Sequence, residues 1–266
     1  LGYLSQSARV ANDFVRYRYS YTYAAFLQDD WAVRKNLTLN VGLRWDYQTP
    51  DVEKQNRAAH INPYTGLIEI AGVNGASRSL FKGDKNNFAP RFGFAYRPSQ
   101  GLVVRGAYGI FYDVALQGAQ FGQIRVSPPF FTSQTFNAAP GNPASLTLSN
   151  PFPSAGTPSL NYTSVQPDFQ NGYLQQWNFG VQKSAGNNMV MELGYIGSKG
   201  THLYENVDLN QAFPGTAPLQ TRRPLPQFGT NQTLLSQANS SYNAMIGRLE
   251  RRFSGGMTFL ASYTWS

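Results

Sequence analysis

Residues Tyr23–Tyr47 read YAAFLQDDWAVRKNLTLNVGLRWDY. In the second half of this stretch, Leu37, Leu39, Val41, Leu43, Trp45 and Tyr47 alternate with Asn36, Thr38, Asn40, Gly42, Arg44 and Asp46. A period of two specifies a β-strand with one apolar and one polar face. The first half continues the pattern from upstream. Tyr17, Tyr19, Tyr21, Tyr23, Ala25, Leu27 and Trp31 share one parity, Arg16, Arg18, Ser20, Thr22, Gln28 and Asp30 the other, and Phe26 and Asp29 are exceptions. Only the residues around Val33–Asn36 separate the two runs, so the stretch is a hairpin of two long strands.

Strand length decides what kind of sheet this is. Ordinary strands have about 5–6 residues, whereas a strand crossing a bilayer at a tilt needs about 9–11, and both arms reach that length. The apolar face ends in Trp31, Trp45 and Tyr47, rings suited to a membrane–water boundary. The other face carries Arg16, Arg18, Arg44 and Asp46 and must meet water or another polar surface.

The pattern recurs three more times. Hairpins are expected at about 16–47, 88–113, 173–198 and 242–266, with short turns inside each. Between them lie long segments at 48–87, 114–172 and 199–240. Eight of the 16 prolines fall between Pro128 and Pro167, which argues against long strands there. A weak two-strand pattern near Leu67–Ile70 is the only regularity expected in 48–87, and residues 1–15 read as loop or the tail of an earlier segment. Soluble sandwiches have loops of similar length at both ends. Alternating short turns and long loops is the plan of an antiparallel up-and-down transmembrane β-barrel, with short periplasmic turns and long extracellular loops. The fold class is therefore all-β, with about eight strands.

Composition agrees. The 266 residues contain no apolar run of about 18, which excludes transmembrane helices, and aromatics reach 14%, enough for girdles at both interfaces. With no cysteine there is neither a disulfide framework nor a thiolate site. The net charge of +8 is scattered along the chain, in nothing larger than pairs such as Arg222–Arg223 and Arg251–Arg252, so no nucleic-acid interface is expected. LGYLSQSARVAND has no basic region followed by an apolar one, and Leu1 is no initiator, so the reading is of a mature piece or a fragment.

Six segments in order, FLQDDWAVRKNLTLNVGLRWDY (26–47), NFAPRFGFAYRP (87–98), VRGAYGIFYD (104–113), QQWNFGVQK (175–183), ELGYIGSKGTHLY (192–204) and RLERRFSGGMTFLASYTWS (248–266), resemble the barrel of TonB-dependent outer-membrane receptors. More narrowly, they resemble the Oar-like group. The similarity spans about residues 16–266. It implies a bacterial outer-membrane protein of a Gram-negative-type cell, with a plug inside a barrel of about 22 strands that imports large substrates using energy passed on by TonB. Plug and TonB-contact segment are not seen in this sequence, and it stops at Trp265–Ser266 without a terminal insertion signal, so the expectation is a central piece of the wall. Its expected partners are outer-membrane lipid, an unknown extracellular ligand and, through a plug not present in this chain, the TonB system.

Catalytic chemistry finds no support. His60 and His202 lie in separate long segments, so no shared metal site is expected. GYIGSKG (194–200) lacks the G-x-x-x-x-G-K-[ST] spacing of a phosphate loop. Asp29, Asp30 and Glu192 have no spacing that pairs them for hydrolysis. No cofactor, metal or catalytic residue is expected. The candidate lumen-lining residues are Arg44, Arg91, Arg105, Glu192, Arg248 and Glu250, and ligand capture is expected in the long loops. Two other readings remain open at this point: a self-contained eight-stranded outer-membrane barrel with a structural or adhesive role, and a soluble secreted β-sandwich that binds carbohydrate.

Overall fold

A computed structural model describes residues 2–11, 15–114, 127–138, 141–153, 160–186, 188–254 and 256–266. Its strands are β1 (Gln6–Ala11), β2 (Arg18–Tyr19), β3 (Thr22–Arg34), β4 (Leu37–Gln48), β5 (Val52–Glu53), β6 (Ala59–Ile61), β7 (Ile68–Ile70) and β8 (Phe88–Ser99). They continue with β9 (Leu102–Tyr112), β10 (Thr132–Asn137), β11 (Tyr162–Val165), β12 (Tyr173–Ala185), β13 (Met189–Asp208), β14 (Asn231–Ser254) and β15 (Met257–Trp265). Among the described residues there is no α-helix, only two short 3-10 turns at Pro143–Ser145 and Leu219–Arg222.

Eight long strands form one antiparallel meander in the order β3, β4, β8, β9, β12, β13, β14, β15. Each of the four hairpins closes with a short turn, such as Lys35–Asn36 after Arg34 pairs with Leu37. All four turns lie on one rim, hereafter the turn side; the long connections 49–87, 113–172 and 209–230 leave from the other, the loop side. The sheet is open, since β3 and β15 do not pair with each other. The eight strands together make one wall.

The register assigns every side chain to a face. Leu39 and Val41 are flanked by Trp31 and Asp29 of β3 and by Phe94 and Phe92 of β8. Phe92 in turn pairs with Tyr108, Tyr108 with Trp177, and Trp177 with Gly197. The apolar face is thus continuous across the sheet. Lys183 and Arg251 bound it on the turn side and Lys199 on the loop side, where lysine and arginine heads reach polar headgroups. From Met189 to Lys199, at about 3.3 Å per residue and a tilt of about 40°, the band is about 25 Å tall, the height of an outer-membrane hydrocarbon layer. Along its loop-side edge Tyr23 stacks on Tyr47 and Trp45 on Tyr47, with centroids 6.2 and 6.1 Å apart, and Lys85 Nζ lies 5.6 Å from the Tyr47 ring. The two exceptions to alternation fall as the register requires: Phe26 pairs with Arg44 on the polar face, and Asp29 with Val41 on the apolar one.

Three expectations need correction. The stretch 199–240 is not all loop, because β13 runs on to Asp208 and β14 begins at Asn231. Register shifts between Gly200 and Tyr204, with His202 at φ 54°, switch the face on which successive residues fall, so a single alternation cannot be followed through. Residues 48–87 hold three short strands beyond the wall, one more than the pattern near Leu67–Ile70 implies. Residues 1–15 are not wholly loop either, since β1 pairs with β10 from the proline-rich connection.

The buried core lies outside the wall. Ala58, Ala71, Leu80, Phe81, Val165, Phe169 and Leu234 pack together, with Tyr204 against them. These residues come from the connections 49–87 and 160–171 and from the loop-side extensions of β13 and β14. There β11 runs parallel to β14, pairing Tyr162–Val165 with Asn231–Leu234 above the point where β15 stops. The result is a folded cap on the loop-side rim.

Candidate functional site

The polar face carries all six candidate residues, and it gathers them into two groups. Arg105, Glu192, Arg248 and Glu250 come together near the turn side and line one hollow with Gln182. Arg248 Nη2 donates to Glu250 Oε2 at 2.8 Å, and Arg105 Nη2 donates to Gln182 Oε1. Arg44 and Arg91 lie across β4 and β8 and border a separate hollow. Arg44 grips Asp46 with two parallel bonds, Nε to Oδ2 at 2.7 Å and Nη2 to Oδ1 at 2.8 Å. Such forks fix geometry as well as neutralising charge.

Arg91 differs. Its guanidinium stands 4.7 Å from the centroid of Phe111, above a hollow of about 340 Å³ that Gln28, Asn40, Gln176 and Asn178 also line. Phe111 belongs to the polar face by register, one strand from Arg91. Sequence reasoning missed it because an isolated aromatic on the polar parity looks like a lapse in the pattern. The signal available was its place beside Gly109 in GIFYD.

The loop-side cap is the second element. Glu53 is fully buried at its base and accepts the backbone N–H groups of Tyr17, Gln55 and Arg57, with the Arg57 guanidinium 3.6 Å away. Burial alone would raise the Glu53 carboxyl; the three N–H donors and Arg57 outweigh it and hold the group below its ordinary value. Asn87 Nδ2 donates to the carbonyls of Asp46 and Asp84, and its Oδ1 accepts from Asn171, tying the top of β4 to both connections. Buried Asn210 organises the segment 209–230, donating to the Leu225, Phe228 and Gly229 carbonyls while its Oδ1 accepts the Leu225 N–H. Outside this scaffold Tyr64, Leu67, Phe213 and Leu219 are exposed, large apolar side chains carried by hydrogen-bonded loop backbone.

His60 and His202 serve structure in separate places. His60 is wholly buried in the cap, and His202 Nδ1 lies 3.2 Å from the Ser236 carbonyl. Among the described residues no group of three or more His, Cys, Asp or Glu is placed to hold a metal ion. GYIGSKG lies inside β13, with no helix opening after it.

A family model for the outer membrane beta barrel domain matches residues 1–266. The chain belongs to that family. It is accordingly a protein of the bacterial outer membrane. Solved structures with the same fold include the ferric enterobactin receptor of Pseudomonas aeruginosa in complex with enterobactin. The TM-score is 0.53 at 11% identity, over 93% of this chain and 27% of that one. The siderophore receptor PirA of Acinetobacter baumannii gives a TM-score of 0.50 at 10% identity, over 92% of this chain and 27% of that one. The chain therefore spans about a quarter of the length of these receptors. No curated protein sequence matches it.

Proposed function

We propose that this outer-membrane wall is part of a TonB-dependent receptor/transporter, with no enzymatic role, whose extracellular loops bind a ligand for energy-coupled uptake. The observation that carries the reading is the cap. A wall that only held a pore open has no use for long connections with their own buried core. Folded loops that present apolar side chains above a polar-faced wall suit ligand capture. The fold likeness to receptor barrels supports the architecture, and the motif set from 26 to 266 supports the narrower Oar-like placement. In this reading the apolar band meets lipid and the six charged residues line the lumen. TonB acts through a plug supplied by another part of the protein. The alternative is a self-contained eight-stranded barrel with a structural or adhesive role; the open sheet, in which β3 and β15 are not neighbours, supports the first reading over it.

The test is made on the intact protein in outer membranes of its own bacterium. An epitope tag within 209–230 should be reached by antibody on unbroken cells, and the periplasmic domain of TonB should retain the protein from detergent extracts. A tag reached only after lysis, or no retention by TonB, would overturn the proposal.

A further inference from the structure

We propose that Arg91 is the centre of an anion-binding subsite on the polar face, taking a carboxylate or phosphate group of a solute. The inference deepens the receptor reading and needs from it only that the polar face is the wet one.

Four arginines among the candidate residues offer a direct comparison. Arg44 is closed on Asp46, Arg248 on Glu250, and Arg105 on Gln182. Arg91 has no hydrogen-bond or ion-pair partner among the described residues, and its one charge contact is the face of Phe111. An aromatic face holds a guanidinium flat and leaves its N–H edge open. The side chain thus rests against Phe111 with its donors uncommitted among the described residues.

The surroundings suit an oxyanion. The amides of Gln28, Gln176 and Asn178 border the same hollow, and none of the three makes a side-chain hydrogen bond among the described residues. Asn40 is already used, donating to Asp30 Oδ1 at 2.6 Å, which also occupies the carboxylate of that row. Glycines keep the space clear. A Cβ on Gly93 would come 3.3 Å from Asn40 Oδ1, and one on Gly109 would come 3.0 Å from the Phe111 ring, pushing away the surface on which Arg91 rests. A fork of charged donors beside amides that make no side-chain hydrogen bond among the described residues, above a floor made largely of glycine, matches the planar oxygens of a carboxylate or the tetrahedral ones of a phosphate.

The test uses the intact protein in vesicles of neutral phosphatidylcholine, so that no lipid anion competes. Inorganic phosphate and citrate are titrated separately by calorimetry, to distinguish the two anion types. Binding of at least one is expected, weakened about tenfold or more by Arg91→Gln because charge-assisted bonds are lost, and less by Arg91→Lys, which keeps the charge without the fork. Lys35→Gln, in the turn between β3 and β4 and away from the hollow, should leave it unchanged. No binding to the wild type, equal binding by Arg91→Gln, or an equal loss in Lys35→Gln would overturn the proposal. Heat-modifiable gel migration checks folding of each variant. If Arg91→Gln does not fold, Phe111→Leu replaces it, with a weakening of several-fold expected and unchanged binding counting against the subsite. Because the titration does not involve TonB, failure of the receptor reading and failure of the subsite give separate results.

Discussion

The backbone N–H of Val165 points at His60 Nδ1 across 3.5 Å, joining the connection 49–87 to β11 inside the cap. The other ring nitrogen lies 3.2 Å from Glu69 Oε2. The imidazole is therefore held with its proton on Nε2 and its lone pair on Nδ1. A second proton would set two donors against each other. Burial lowers the His60 pKa, and the neighbouring Glu69 carboxylate, which pulls the other way, does not reverse it.

This arrangement predicts acid loosening of the cap. The unfolded group titrates near 6.5 and the folded one lower, so between those values the unfolded state binds more protons. Stability is complete above about pH 6.5 and falls as pH drops through that window. Hydrogen exchange of 59–70 and 162–165, corrected for intrinsic rates, should speed up between pH 7.5 and pH 5 while the β8–β9 hairpin holds. His60→Asn should remove the dependence. Equal protection at both pH values would show that His60 is not the joint.

Glu53 is a second buried support, and here charge matters. Three backbone N–H groups converge on its carboxylate. A glutamine isostere offers one acceptor oxygen and turns the other into a donor facing donors. Glu53→Gln should destabilise the cap by about 2–3 kcal/mol, the scale of charged hydrogen bonds. Limited proteolysis within 49–87 reads this; a cleavage rate like that of the parent chain would contradict it.

The four hairpins were legible in the sequence because each wall strand buries one face in lipid and wets the other, which writes a period of two into every strand. The cap was not. Its strands β5, β6 and β7 have two or three residues each, too few for a period to register, and its core is drawn from residues scattered over separate segments, Ala58 to Phe81, Val165, Phe169 and Leu234, rather than from an apolar run. The loop-side halves of β13 and β14 were hidden by the shifts at Gly200–Tyr204. Parity alone put the six charged residues on the polar face. Their pairing was not legible, because Arg44–Asp46 and Arg248–Glu250 are neighbours on one strand, whereas Phe111 meets Arg91 across two.

Gly197 shows a packing demand that alternation does not reveal. It pairs with Trp177, and a Cβ there would run into the indole, which lies across the glycine. The ring covers bare backbone that a larger residue would displace. Gly197→Val should push the indole outward, with a shifted tryptophan emission and a smaller heat-modifiable fraction. Gly247, whose Cβ would meet nothing within 4 Å, should accept the same change. Equal behaviour of the two variants would sink the packing argument.

The face assignment itself is open to a sharper test on neighbouring strand positions. Leu193 lies on the apolar face, between Val181 and Gly247, near the middle of the band; Ile196 lies on the polar face, between Asn178 and Ala244. Both are aliphatic and sit on the same strand, so hydrophobicity scales alone predict similar costs for arginine at either site. The register predicts otherwise. Leu193→Arg places a charge at mid-depth in hydrocarbon, which costs about 2–4 kcal/mol in outer-membrane barrels, whereas Ile196→Arg points into water. Folded fractions in urea titrations from lipid vesicles should differ accordingly, with Leu193→Arg the weaker. If Ile196→Arg were the more damaging, the faces would be inverted, and lipid would lie against Arg44, Arg91 and Arg105.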